Sequence, residues 1–196
     1  MCCRTPTLWG DLAACVIEAE LLDIAAPVLG VATGSTPEPL YQRLAQRRLR
    51  GSLNTDSLRA FALDEYVGLP AEHPENYRRV LERVFAEPLG GIPAARLHVP
   101  DGAAADTAAA AAEYERSILL AGGIDVQILG IGGNGHIGFN EPGSDFRSVT
   151  RPVELTASTR SANARFFDDP DEVPATAISQ GGLATILRAR SIALIA

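Results

Sequence analysis

Lysine is absent from this 196-residue sequence, and all 17 basic residues are arginine. Without an ε-amine, lysine Schiff-base chemistry and an ammonium clamp on phosphate are both excluded, so any cationic contact falls to a planar guanidinium. Cysteine is scarce and badly placed for cross-linking. Cys2, Cys3 and Cys15 all lie near the N-terminus, with no spacing that suggests a disulfide framework or a zinc site, and they read as buried or idle thiols. No apolar run reaches the length of a membrane span, and Met1 to Gly10 lacks a basic segment followed by an apolar one, so a cytoplasmic protein is expected. A basic face is missing too. The net charge of -7 argues against a broad grip on nucleic acid or anionic lipid, but a few arginines in a cleft suffice for a small anionic substrate.

What is present is enough apolar residue, 46% of the chain, to bury one sizeable core, and the length requires only one domain. Short apolar runs alternate with helical spacing. Strands are expected at Val28 to Ala32, Leu58 to Leu63, Ile124 to Gly130, Val153 to Leu155 and Ser191 to Ala196. Helices are expected at Trp9 to Ile24, burying Leu12, Val16, Ala19 and Leu21 or Leu22, then at Pro37 to Arg50, Asn76 to Phe85, Thr159 to Phe167 and Gly182 to Arg188. The alanine-rich stretch Ala103 to Ala121 has strong helix propensity, with Asp106 or Thr107 as its cap. Asp64 to His73 and Pro88 to Gly102 read as a loop and a connector. The alternation predicts a Rossmann-like three-layer α/β domain, a mainly parallel sheet flanked by helices with right-handed crossovers. In such sheets ligands sit beyond the carboxyl ends of the strands.

Three segments follow strands and could face one crevice. Thr33-Gly34-Ser35-Thr36-Pro37 joins a strand to a helix N-terminus, where free amides and hydroxyls can cradle a phosphate; it lacks the P-loop lysine, and an ordinary capped turn is the alternative. Asp64, at the end of an apolar strand, is either a turn-forming carboxylate or a base that removes a proton from a carbon beside a carbonyl, with burial raising its basicity. Gly130-Ile131-Gly132-Gly133-Asn134-Gly135 matches the three-glycine dinucleotide pattern, but His136 to Phe146 reads as a loop and not as the helix that pattern requires, so a nicotinamide site is disfavoured. His136 sits in this loop with Asn134 before it and Glu141 after it, which brings a proton shuttle, an orienting group and an acid together. Arg165 offers a bidentate contact for phosphate, or is simply solvated.

Taken in order, Ala32 to Pro37, Leu63-Asp64-Glu65-Tyr66-Val67-Gly68-Leu69, Gly130 to Pro142 and Ala162-Asn163-Ala164-Arg165-Phe166-Phe167 resemble the glucosamine-6-phosphate deaminase family over essentially the whole chain. The middle two segments are the specific ones; the first is shared with 6-phosphogluconolactonase relatives. The resemblance implies a hydrolase-class enzyme of amino-sugar catabolism that converts glucosamine 6-phosphate to fructose 6-phosphate and ammonia, with no metal or redox cofactor. By the same resemblance Asp64 moves the C2 proton. His136 opens the pyranose ring with help from Glu141 and the residue at 134, and Thr33, Gly34, Ser35 and Arg165 hold the substrate. Some members of the family carry aspartate where this chain has Asn134; an amide orients His136 but brings no charge, so a lower pH optimum for ring opening is expected. The resemblance also implies a single domain over 1–196 that stops before the family's C-terminal strand and helices, leaving an apolar edge strand. Homo-oligomerisation is left open. Two other readings stand beside the deaminase: a sugar-phosphate lactone hydrolase, which the Asp64-Glu65-Tyr66 segment argues against, and a non-catalytic sugar-phosphate-sensing domain.

Overall fold

The computed structural model describes residues 6–179 and 182–196. In chain order its elements are α1 (Pro6–Leu21), β1 (Val28–Val31), α2 (Glu38–Leu49), β2 (Arg59–Ala62), β3 (Asp64–Tyr66), α3 (Tyr77–Leu81) and β4 (Leu97–His98). They continue with α4 (Thr107–Leu120), β5 (Val126–Gly130), β6 (Arg151–Glu154), α5 (Ala157–Asn163), β7 (Thr176–Ser179), α6 (Leu183–Leu187) and β8 (Ser191–Ile195). The chain is an α/β fold. Its main sheet is parallel throughout, in the order β4-β2-β1-β5-β8. From β1 the chain first winds outward to β2 and β4, then crosses back to β5 on the other side. The switch point therefore lies between β1 and β5, where the loops leaving their carboxyl ends diverge and open a crevice.

Alternate residues of each strand feed opposite faces of this sheet, as the pleat requires. Leu29 and Val31 pack with Ala14, Ile17 and Leu21 of α1 and Leu40, Tyr41 and Leu44 of α2. Val28 and Phe61 face the other way, onto Tyr114 and Ile118 of α4, and Leu129 packs on Ile186 of α6. Asp106 caps α4 by accepting the Ala109 amide at 2.9 Å, a bond of the kind that contributes about 1 kcal/mol.

A second sheet covers the carboxyl end of the first. It is antiparallel, in the order β3-β7-β6, and packs Tyr66, Phe139, Leu155, Phe167 and Ala177 into a separate apolar cluster.

Four readings of the sequence are corrected here. Asp64 to His73 is not all loop: its first three residues form β3, which draws its hydrogen bonds from β7, more than a hundred positions away. The Pro88 to Gly102 connector contains a two-residue edge strand, β4, and the Thr176–Ser179 strand lay unread between loops. The third concerns α1, which is apolar on two sides. Leu12, Val16 and Leu22 are exposed, at 60%, 50% and 71%, while Ala14, Ile17 and Leu21 are the buried stripe. The fourth is α3, which continues into a wider π-type turn over Glu82–Ala86 in place of one regular helix. Cys2 and Cys3 lie outside the described residues, and Cys15 is an exposed free thiol. Among the described residues no helix is long and apolar enough to cross a membrane. β8 is an edge strand, with Ile192 and Leu194 42% and 54% exposed.

Candidate active site

The crevice at the switch point is a cavity of about 220 Å³ whose walls include Thr33, Gly34, Ser35, Asp64, His136 and Arg165. The three loops singled out in the sequence do converge. Tyr41 of α2 fixes the first of them: its hydroxyl donates to the Ala32 carbonyl at 2.7 Å and accepts the Ala32 amide at 3.0 Å, pinning the chain as it leaves β1. Gly34 then turns at φ 90°, a conformation that disfavours a side chain, and leads Thr33 to Thr36 to the start of α2. Pro37 stands at the N-cap of that helix and supplies no side-chain cap. Thr33 to Glu38, the loop and the start of the helix, line the cavity, and a helix start is where an anion can be held.

Asp64 opens β3 directly after the β2 strand, at the seam between the two sheets, and is only 6% exposed. Among the described residues no hydrogen bond reaches its carboxylate. Burial, and then the neighbouring Glu65 charge, push its carboxyl up to about 8, into the range of a useful base. Glu65 is a different kind of residue. Its carboxylate accepts the Tyr66 amide at 2.8 Å, the Tyr77 amide at 3.1 Å and the Arg78 amide at 3.2 Å. It therefore caps the start of α3 from a distant strand, and so holds in place the wall from which Tyr77 and Val80 reach the cavity. Burial raises the Glu65 carboxyl in turn, against the pull of those three amides.

His136 lies beyond β5 in a loop that opens no helix, so the dinucleotide pattern fails on its structural requirement. The glycines have another use. A Cβ on Gly132 would stand 2.2 Å from His136 Cε1, so the imidazole lies over bare backbone. Asn134 and Glu141 complete a relay. The Asn134 Nδ2 donates to Glu141 Oε2 at 2.8 Å; because a carboxylate only accepts, the amide oxygen must face the histidine. That oxygen accepts the His136 backbone amide at 3.1 Å and lies 2.7 Å from Nδ1, which must then carry the proton. Nε2 is left with its lone pair and with no hydrogen bond from the described residues. Glu141 is anchored by the hydroxyls of Thr156, at 3.0 Å, and Thr159. Burial is the largest single influence on the Glu141 carboxyl and raises it, but hydrogen bonds from Thr159, Asn134 and Thr156 together outweigh it and hold it below its ordinary value. The relay thus ends on an ionised group.

Known proteins resemble the chain along most of its length. Residues 12–195 match the family described as glucosamine-6-phosphate isomerases/6-phosphogluconolactonase. The chain belongs to that family. Within the glucosamine-6-phosphate isomerase/6-phosphogluconolactonase family it is 56% identical over 171 residues to glucosamine-6-phosphate deaminase of Beutenbergia cavernae, covering 87% of this chain and 65% of that protein. To the deaminase of Cutibacterium acnes it is 48% identical over 194 residues, covering 99% of this chain and 74% of that one. A solved monomeric glucosamine-6-phosphate deaminase superposes with a TM-score of 0.94 at 38% identity, covering 99% of this chain and 80% of that one. The 6-phosphogluconolactonase of Thermotoga maritima shares the fold, with a TM-score of 0.69 at 20% identity, covering 95% of this chain and 78% of that one. The chain spans about two thirds of the length of the curated relatives it matches, 65% of one and 71% of two others.

Of the eight residues singled out in the sequence as the site of this family member, six line the cavity, and Asn134 and Glu141 stand behind His136. Arg165 is exposed at the rim with its guanidinium 4.7 Å from the Phe166 ring centre. The cavity also holds residues that sequence reasoning passed over: Glu75, Tyr77, Arg83 and Asn163. Asn163 donates to the Tyr66 hydroxyl at 2.9 Å, which fastens the segment bearing Arg165 to β3. Thr159 was legible only as a helix start and Thr156, the residue that caps that helix, was not read at all; nothing local in the sequence connects them to Glu141.

Proposed function

We propose that the chain converts glucosamine 6-phosphate to fructose 6-phosphate and ammonia, with a cytoplasmic setting in keeping with a charged sugar phosphate that does not cross membranes unaided. The observation that carries this reading is a crevice that places an unbonded, buried carboxylate, Asp64, in the same cavity as an imidazole whose tautomer is set by the Asn134–Glu141 pair.

The substrate's phosphate lies at the start of α2, against Thr33, Gly34 and Ser35, with Arg165 closing on it from the rim. His136 acts first. Its Nε2 lone pair takes the proton from the anomeric hydroxyl and returns it to the ring oxygen, which opens the pyranose; the imidazolium that forms in passing is stabilised through Asn134 by the Glu141 charge. The open-chain sugar has an acidic C2 proton beside its aldehyde. Asp64, a stronger base than an exposed carboxylate, removes that proton and delivers it to C1, passing through an enolamine. Over the same step O1 gains a proton and the amine gives one up, leaving an imine at C2; water adds to this C=N bond and ammonia departs, which leaves the ketose. Two proton-transfer groups at the two ends of the reacting carbons are sufficient for this traffic.

The deciding experiment measures ammonia release from glucosamine 6-phosphate and, in parallel, opening of 6-phosphogluconolactone. Ammonia release that is lost in Asp64→Asn and in His136→Gln is the expected result. Lactone opening without ammonia would sink the assignment, and binding without any turnover would favour a sensing domain.

A further inference from the structure

We propose that Asn134 is a modification site, a position of spontaneous deamidation set inside the relay and kept in its amide form by the relay's own hydrogen bonds. The sequence contains Asn54, Asn76, Asn134, Asn140 and Asn163, and Asn134 alone is followed by glycine. A glycine nitrogen is the least shielded by its own residue, which is why the Asn-Gly step closes on itself most readily. Both residues are exposed, so water has access, whereas Asn140 is 3% exposed.

The chemistry needs only water. The Gly135 nitrogen gives up its proton and bonds to Cγ of Asn134; the Cγ–Nδ2 bond breaks, and Nδ2 leaves with that proton as ammonia. The resulting five-membered succinimide takes up one water. Opening at Cγ gives back the ordinary main chain as aspartate at 134, and opening at the other carbonyl gives isoaspartate, with the former side-chain carbon now in the backbone.

In the closed loop every atom of this step is occupied. Nδ2 donates to Glu141 at 2.8 Å, and Oδ1 accepts from the His136 amide and from Nδ1 at 3.1 and 2.7 Å. The Gly135 N–H is itself given to the Gly132 carbonyl at 2.9 Å. Ring closure requires Cγ to turn away from both partners and the nitrogen to lose its bond, so the reaction runs from the opened loop and the intact relay slows it. Either product loses the donor that Glu141 accepts from. Isoaspartate also lengthens the backbone just ahead of Gly135 and moves the partner of His136 Nδ1. The loss of turnover on ageing rests on the proposed roles of His136 and Glu141, but the modification itself does not.

The test is to hold the whole chain in mildly alkaline buffer and follow each asparagine by peptide mass and isoaspartate content. Asn134 should convert first among the five. Glu141→Ala removes the acceptor of a charge-assisted hydrogen bond and should convert Asn134 about tenfold faster than the parent. The parent chain unfolded in denaturant, which needs no folded variant, should show the same unguarded acceleration. Earlier conversion at another asparagine, or equal rates in the folded and unfolded parent, would overturn the proposal. The converted form carries one more negative charge and can be separated by ion exchange. Its isoaspartate fraction should lose kcat/KM in step with conversion, whereas the aspartate fraction carries the residue that some other family members have at this position; an unchanged value in the isoaspartate fraction would refute the relay role of Asn134 while the mass data judge the modification on their own.

Discussion

Replacing Asp64 by asparagine should make the protein inactive and, at neutral to alkaline pH, more stable. The carboxyl binds its proton up to about pH 8 when folded, against an ordinary value of 3.8. Between those two values the native chain holds more protons than the unfolded one, so the stability contributed by this group is undiminished below the lower value and is lost as pH rises towards the upper one. At 1.36 kcal/mol per pH unit the cost is on the order of 1–2 kcal/mol near pH 5 and on the order of 5 kcal/mol near pH 8. Asparagine has nearly the same shape and cannot ionise. The variant's gain over the parent should therefore be larger near pH 8 by a few kcal/mol, which for a chain of this size is roughly 10 °C in Tm. Glu65 is present in both proteins, and relief of its own repulsion in the variant acts in the same direction. Thermal melts of both proteins at the two pH values, with ammonia assays on the same samples, provide the check. A gain in Tm that is equal at both pH values, or larger at the acid one, would refute the picture of a carboxylate held in a desolvated site for use as a base.

Gly132→Ala should leave Tm within a degree or two but lower kcat about a hundredfold, since a methyl at that position drives the imidazole off its station and misplacement near 1 Å carries that penalty; steady-state kinetics beside a melting curve test it. Arg165→Ala should raise KM by roughly tenfold or more with little change in kcat, the signature of lost binding to the phosphate in both ground and transition states, and a kcat defect at constant KM would contradict it. Glu65→Gln removes the charge beside Asp64, so the acid limb of the kcat/KM profile should move to lower pH; a profile that keeps its position would show that Glu65 acts only as the cap of α3.

Most of the candidate site was legible in the linear chain because it sits in contiguous segments. Asn134, His136 and Glu141 lie within eight positions, and a glycine-rich loop after an apolar strand can bring such neighbours together without help from the rest of the fold. Family membership follows from the same segments. The parallel sheet was legible as well, since β1, β2 and β5 are short apolar runs buried on both faces, and a run of that kind leaves a clear trace in composition. The buried face of α1 was not, because the helix carries two apolar stripes and only its neighbours decide between them. Nor was β3, whose hydrogen bonds come from β7 on the far side of the sequence, or Glu65, which resembles any acidic residue until the amides of Tyr77 and Arg78 arrive against it. By itself the sequence determined which groups are present and which of them travel together. Only the tertiary structure decided that Asp64 is buried without a hydrogen bond to its carboxyl from the described residues while the adjacent Glu65 is consumed as a cap, because desolvation and hydrogen bonding are set by what packs against a side chain and not by its neighbours along the chain.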